Sequence, residues 1–382
     1  MWATLSRAFI YELKSIVGSK YKLSLITILP LFCFWLIISI FGSGVARDIP
    51  LVVVDKDRSQ LSRMVLHDID ASPTMKIDRV VDSPKEAISM LKSAKVYGVV
   101  VIPAHFYRDT ILHKKPQITA MLNTQYILIG KMLTSALSST IMTTSGYVEY
   151  IEQLAKSQNP DSAKVAVAPI GIQVTPFFNT YQNYSYFLVS ALIPAMWQIF
   201  IVIATLVSIG VIFKEHKIGE VFVDSRYIPL KLIGVLLPYT IAYTLIGILY
   251  LLYIYSSWEI EGSFGMIAVA IFMSVVAYQS IALFIFSLGF DYIKSLSIGA
   301  VYTAPAFAFL GVTFPIYNMN EFALFWRSIL PISHYMELQI SQANYGADIY
   351  ADMDKLLAIS AFWLLSIPAM WLFSHKIAKE LR

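Results

Sequence analysis

Lys214-Glu215-His216-Lys217-Ile218-Gly219-Glu220, with Asp224 four residues further on, crowds cationic and anionic side chains into one short segment. Such a segment is a solvated charged face with no constellation for bond-breaking chemistry. Elsewhere, residues 45–183 hold His67, His105 and His113, but no two lie at metal-ligand spacing and the stretch has no cysteine. Those histidines read as surface residues. No carboxylate pair stands out as an acid and base, and there is no nucleophile elbow. Gly130-Lys131 is followed by Met132 and has no glycine five residues before it, so it is not a Gly-x4-Gly-Lys-Ser/Thr phosphate loop. No other Gly-Lys pair occurs. The expectation is a protein without a metal site, a bound cofactor or an ATPase site of its own.

The elements that must position these residues are dominated by six runs free of Asp, Glu, Lys, Arg and His: 23–44, 184–213, 232–256, 264–290, 296–316 and 356–374. Each approaches or exceeds the roughly 20 residues a helix needs to cross a hydrocarbon core of about 30 Å. A charge at mid-membrane costs at least about 2.5–3.5 kcal/mol, so uncharged runs of this length select for lipid burial. Composition agrees: 57% of the 382 residues are hydrophobic and 14% charged, and mean hydropathy is +0.64. A soluble surface needs more charge than that. The net charge of +4 singles out no nucleic-acid partner. The lone Cys33 lies in the first run, so no intrachain disulfide forms.

Ion-coupled carriers keep ionisable groups at mid-membrane, and these runs have none, so a passage driven from outside the chain is expected. Candidates to line it are Asn183, Gln198, Thr205 and Ser208 with the second run, Tyr278, Gln279 and Ser280 in the fourth, and Tyr302 and Thr303 in the fifth. The plainer use of such residues is bonding between neighbouring helices. Pro30, Pro194, Pro238, Pro305 and Pro368 are expected kinks. An apolar passage suits a hydrophobic or amphipathic cargo, a drug or a lipid.

Arg7, Lys14, Lys20 and Lys22 precede the first run, while Lys214, Lys217, Arg226 and Lys231 follow the second. Lys294 follows the fourth, and His375, Lys376, Lys379 and Arg382 follow the last. The opposite loops carry Glu259 and Glu261, or Glu321, Glu337, Asp348, Asp352 and Asp354 against Arg327 and Lys355. Positive charge marks the inside, which gives six crossings with both termini cytoplasmic. Trp2, Leu5, Phe9, Leu13 and Ile16 share one helical face, so residues 1–22 read as an amphipathic helix in the cytoplasmic interface, or else as a frayed tail. Gly44-Val45-Ala46 resembles a leader cleavage site, but the run before it exceeds the roughly 7–15 residues of a leader core, which favours an uncleaved anchor.

Residues 45–183 read as an α/β domain. Strands are expected at 50–55, 75–81, 97–102 and 117–123. Ser59 is placed to cap a helix through Leu61, Met64, Val65 and Ile69, and Ser83-Pro84-Lys85-Glu86 opens another as a capping box. A long helix over 125–157 and an extended return over 166–175 follow. The alternation favours a mixed or parallel sheet covered by helices. The fold class is thus a mainly α membrane protein with six transmembrane helices and an α/β extracytoplasmic domain inserted between helices 1 and 2. The remainder, 184–382, holds five helices and a cytoplasmic loop over 214–231.

This order resembles the ABC-2-type permeases, the membrane subunits of type-2 ABC exporters, along essentially the whole chain. In that family an acidic residue after the second span is followed four positions later by glycine, which matches Glu215 and Gly219. The usual Thr after the glycine is Glu220 here, and the next acidic residue, Asp224, is shifted. Phe314-Pro315, Met319-Asn320 and Leu330-Pro331-Ile332-Ser333-His334-Tyr335 are similar to the family segment that re-enters the membrane from outside as a helical hairpin. That hairpin falls at 317–340, with Phe322, Phe325 and Trp326 among its apolar residues; the alternative is an amphipathic outer loop.

The resemblance implies a bacterial inner-membrane export subunit whose ATP and Mg²⁺ belong to a separate ABC ATP-binding subunit docked at Lys214, Glu215, Lys217, Gly219, Glu220 and Asp224. It also implies a second permease subunit, identical or homologous, and allows a periplasmic adaptor protein. Competing classes are a membrane-anchored enzyme and an envelope sensor or scaffold that binds a partner through the outer domain.

Overall fold

The computed structural model of the chain describes residues 2–42, 44–157, 159–161, 178–179, 183, 185–222, 227–257 and 259–380. The chain divides into two compact units, Val45–Pro176 and Met1–Gly44 with Phe177–Arg382.

The second of these begins with α1 (Trp2–Gly18), then α2 (Lys20–Ile26) and α3 (Ile28–Phe41). Ser19 caps α2 through the amide of Lys22 at 3.4 Å. The apolar stripe expected on α1 is split. Trp2 and Leu13 are exposed, as an interfacial face would be, but Ile16 is buried together with Ala8 and Glu12. Residues 8, 12 and 16 are spaced by four and form one inward edge of the helix.

In the unit Val45–Pro176, β1 (Ile49–Asp55), β2 (Met75–Val81), β3 (Gly98–Ile102) and β4 (Thr119–Leu122) form a sheet in the order β2-β1-β3-β4. The first three are parallel and β4 is antiparallel at the edge. β1 is buried on both faces, which is why Leu51-Val52-Val53-Val54 is apolar without alternation. Leu51 and Val53 pack against α4 (Gln60–Asp70) and α7 (Ile127–Ser157), and Val52 and Val54 against α5 (Pro84–Lys92). The short α6 (Phe106–Ile111) covers an end of the first core with Phe106.

Asp55 closes the turn after β1. One carboxylate oxygen accepts the amides of Asp57 and Arg58, each at 3.0 Å, and the other accepts the Ser62 hydroxyl at 2.8 Å. Ser59 caps α4 through the amide of Ser62 at 3.1 Å. Ser83 stands at the cap position of α5 but makes no side-chain cap bond, so the capping box is incomplete; Pro84 and Glu86 keep their first-turn places. The extended return expected over 166–175 lies outside the described residues.

Among the described residues, five helices are long and apolar enough to cross a membrane: Lys20–Phe41, Ser185–Lys214, Ile228–Ile254, Phe264–Ser287 and Ile349–Glu380. They include α8 (Ser190–Lys214), which continues a π turn at Ser185–Val189, α10 (Ile228–Ile254) and α11 (Phe264–Ser287). Between α8 and α10 sits the short α9 (Ile218–Val221). The last of the five contains α16 (Met353–Ala361) and α17 (Ser366–Glu380).

The fifth apolar run, expected as a span kinked at Pro305, is broken there and does not continue as one helix. It holds α12 (Tyr292–Thr303), of 12 residues, then α13 (Ala306–Phe309), of four. At about 1.5 Å per residue α12 reaches only about 18 Å. Pro305 offers no amide for the ladder, and Gly311 takes φ +80 shortly after α13. Pro194 and Pro238, by contrast, lie inside unbroken helices.

Burial sorts the bundle. In the spans containing α8 and α11, 72% of the most apolar window is buried, against 28% in the first span and 17% in the last. Outward side chains such as Trp35, Leu364 and Trp371 make those outer helices suited to lipid or to another apolar surface.

Candidate functional site

The charged segment is an exposed turn on an apolar footing. Ile218, Val221 and Phe222 are buried, while Lys214, Glu215, His216, Gly219 and Glu220 are exposed. The turn is fixed by the amides of Glu215 and Lys217, which donate to the carbonyls of Val211 and Ile212 at 2.9 and 3.0 Å. Lys217 pairs with Glu215 at 2.6 Å. Their shared hydrogen bond holds the Glu215 carboxyl below its ordinary pKa and the Lys217 ammonium above its own. Asp224 lies outside the described residues.

Two neighbours frame this turn. Tyr11 of α1 donates its hydroxyl to Glu220 at 3.4 Å, and burial, then the Glu220 charge, raises the pKa of that phenol. Lys214 lies over the Tyr292 ring, 5.6 Å from its centre. Beside it opens a cleft of about 670 Å³ lined in part by Phe213, His216, Asp291, Lys376 and Glu380.

One residue along α1 from Tyr11, Glu12 is fully buried. One of its carboxylate oxygens accepts Lys22 Nζ at 2.7 Å, the Ser208 hydroxyl at 2.9 Å and the Tyr239 hydroxyl at 2.7 Å. Lys22 Nζ also donates to Ser15 at 2.9 Å. Four helices (α1, α2, α8 and α10) therefore meet at a single carboxylate. Its second oxygen is buried with no hydrogen-bond partner among the described residues.

Most of the polar residues expected along a passage hydrogen-bond within the bundle. Gln198 reaches the carbonyl of Thr303 at 3.5 Å, and Gln279 accepts from Thr240 at 2.8 Å and donates to the carbonyl of Leu236 at 3.3 Å. Thr205, Ser280 and Thr303 bond back to the carbonyls of Ile201, Val276 and Gly299 on their own helices. Ser208 serves Glu12. Asn183 accepts the amides of Ser185 and Tyr186 at 2.9 and 3.2 Å, opening the second span as a cap. Tyr278 is fully buried. Gln198, Ser208 and Gln279 thus bond neighbouring helices, whereas Thr205, Ser280 and Thr303 bond within their own.

The stretch expected as a hairpin folds as two helices, α14 (Glu321–Ser328) and α15 (Pro331–Ala343). α15 is part of the bundle core: Gln339 donates to the carbonyl of Ser190 at 3.1 Å and accepts from Tyr250 at 2.8 Å, and Tyr335 lies 2.9 Å from Tyr250. Pro331 is buried at its N-terminus, and His334 contacts the carbonyl of Ser328 at 3.2 Å. Pro315 is exposed ahead of α14, and Trp326 stacks on Phe309 with ring planes 11° apart.

Arg327 holds the break after α13. Its guanidinium donates to the carbonyls of Phe309 and Leu310 at 3.0 and 2.8 Å and pairs with Glu337. The irregular backbone after α13 needs donors for its carbonyls, and Arg327 supplies them to Phe309 and Leu310.

Sequence reasoning passed over both charged centres. Arg327 was counted among loop charges, and Glu12 fell between the residues of the apolar stripe. The available signals were the fourfold spacing of Ala8, Glu12 and Ile16, and the position of Arg327 and Glu337 on either side of Pro331.

With this architecture in view, comparison with known proteins gives one family. The model of the ABC-2 family transporter proteins matches residues 21–374. The chain belongs to that family, which makes it a multi-pass membrane protein of an ABC transport system. Membership implies a transport subunit working in the bilayer with an ABC ATP-binding subunit. No curated protein matches the chain.

Proposed function

We propose that this chain is the permease subunit of an ATP-driven exporter that moves a hydrophobic or amphipathic cargo, drug-like or lipid-like, out of the cytoplasm or inner leaflet. ATP and Mg²⁺ are handled by a separate ATP-binding subunit that docks on the turn from Lys214 to Glu220. A second permease subunit completes the passage against the exposed faces of the outer spans, and the setting is a bacterial inner membrane. The observation that carries the reading is the exposed charged turn seated on buried Ile218, Val221 and Phe222 in a chain of this family. Gly219 supports it: a Cβ there meets nothing within 4 Å, so this copy leaves open space for a close approach from outside.

Reversing Glu215 and Glu220 together to Lys is expected to weaken recruitment of the ATP-binding subunit about tenfold. Each surface charge contact contributes only about 0.2–1 kcal/mol, so the double change is needed. Co-purification at graded salt measures this. Unchanged recruitment would remove the turn from the docking surface, and transport in membranes stripped of ATP-binding subunits would remove the permease reading itself.

Both termini are assigned to the cytoplasm and residues 45–183 to the outside, which requires the broken α12–α13 segment to cross. In a Cys33→Ser background, a cysteine at Lys92 is expected to react with an impermeant maleimide from outside, and one at Lys217 or Lys379 is not. Lys92 is a better site than Ser59, whose hydroxyl caps α4. Outside labelling at Lys379 but not Lys217 would show that α12–α13 does not cross.

A further inference from the structure

We infer that Glu12 is a positioning residue for energy coupling: its carboxylate clamps α1 to the second and third spans, so that a displacement imposed on the charged turn reaches the membrane helices. The inference rests on the permease reading and goes beyond it by naming the residue through which the movement passes.

The geometry places two successive side chains of α1 in different tasks. Tyr11 bonds Glu220 in the turn, and Glu12 bonds Ser208 of α8 and Tyr239 of α10. α1 is pressed onto α10 as well: a Cβ on Gly234 would sit 2.7 Å from the Leu5 carbonyl oxygen and 2.8 Å from the Ala8 Cβ. A helix held only by apolar packing can slide along its neighbours. One held by a carboxylate that gathers three donors from three other helices cannot slide without breaking charge-assisted bonds. A buried ion pair is weak evidence for stability, since well-packed apolar residues of the same volume often serve as well, and its best-attested use is to fix register. The Glu12–Lys22 pair joins α1 to α2 and leads directly into the first span; the two hydroxyls join the same carboxylate to the second and third.

The deciding variant is Ser208→Ala with Tyr239→Phe. It removes the two hydroxyls and leaves the Glu12–Lys22 pair in place, so α1 and α2 keep their own junction. The full chain is assembled with its ATP-binding subunit and followed by amide hydrogen exchange, with and without ATP and vanadate. In the parent complex the nucleotide-dependent change is expected in α1, the 214–222 turn, α8 and α10 together. In the double variant it is expected to persist in α1 and the turn and to shrink at least about tenfold in α8 and α10, since two hydrogen bonds to a charged group are lost.

Glu12→Gln, which keeps an acceptor oxygen but removes the charge, is expected to give the same separation of the two regions. A purely structural role would instead raise exchange equally in both nucleotide states and leave the difference intact. A difference in α8 and α10 that matches the parent overturns the inference, as does a parent complex in which those helices never respond to nucleotide. Failure of the ATP-binding subunit to assemble with the parent chain at all would strike the permease reading instead.

Discussion

Arg327→Met is expected to be the most damaging single change in the bundle, costing about 3–5 kcal/mol, as removal of one partner of a buried ion pair does. Methionine fills much of the volume but donates nothing. The carbonyls of Phe309 and Leu310 lose their donor, and Glu337, about one-third exposed, loses its counter-charge. A buried polar group left unpaired costs about 1–3 kcal/mol, so the two carbonyls alone can account for most of the loss. Thermal melting in detergent should fall by roughly 5–10 °C. Arg327→Lys should lie between, because a single ammonium cannot serve the carbonyls and the carboxylate with the geometry of a guanidinium fork. Adding Glu337→Leu to Arg327→Met should recover part of the loss by removing the stranded charge. A melting point unchanged in Arg327→Met would mean that the carbonyls after α13 have other donors and that Arg327 does not hold the break.

That arginine also shows where the sequence ran out as a guide. Hydropathy reports what lipid requires of a stretch, so the apolar runs that became the second, third and fourth spans were legible from the absence of charge alone. The run at 296–316 satisfied the same test and still broke, because hydropathy is blind to the missing amide of Pro305 and to the positive φ of Gly311. The strands of the outer unit were legible for a different reason. A central parallel strand is buried on both faces, and Leu51 to Val54 carry that condition locally.

The centre at Glu12 was not legible, since its partners Ser208 and Tyr239 are 196 and 227 residues away. Helical periodicity marks an apolar stripe, but it cannot tell a charged side chain facing water from one buried against a helix two spans on. The same limit applies to Gln198 and Gln279, whose types suggested a passage and whose bonds run to neighbouring helices.

Gly234→Leu is expected to lift α1 off α10 while leaving the spans folded. Glycine inside a helix is about 0.5–1 kcal/mol worse than alanine, so on propensity alone any substitution there should stabilise. At Gly219 that expectation stands, because a new Cβ meets nothing within 4 Å, and Gly219→Ala should be neutral or slightly stabilising. At Gly234 it reverses. The first new carbon would lie 2.7 Å from the Leu5 carbonyl oxygen, which is backbone and cannot rotate away, and 2.8 Å from the Ala8 Cβ. Overpacking of this kind costs about 1–3 kcal/mol, more than the propensity gain, and leucine adds three further carbons in the same direction.

The cheapest relief is movement of α1, whose outer face is already exposed at Trp2 and Leu13. Amide exchange in α1 should therefore rise about tenfold or more, the equivalent of 1.4 kcal/mol or above, while the interiors of α8 and α10 keep their protection. Gly234→Ala should show the same pattern at smaller size. Protection of α1 unchanged in Gly234→Leu would mean that α1 does not rest on α10 at this point, and the clamp at Glu12 would lose the close packing that sets its distance.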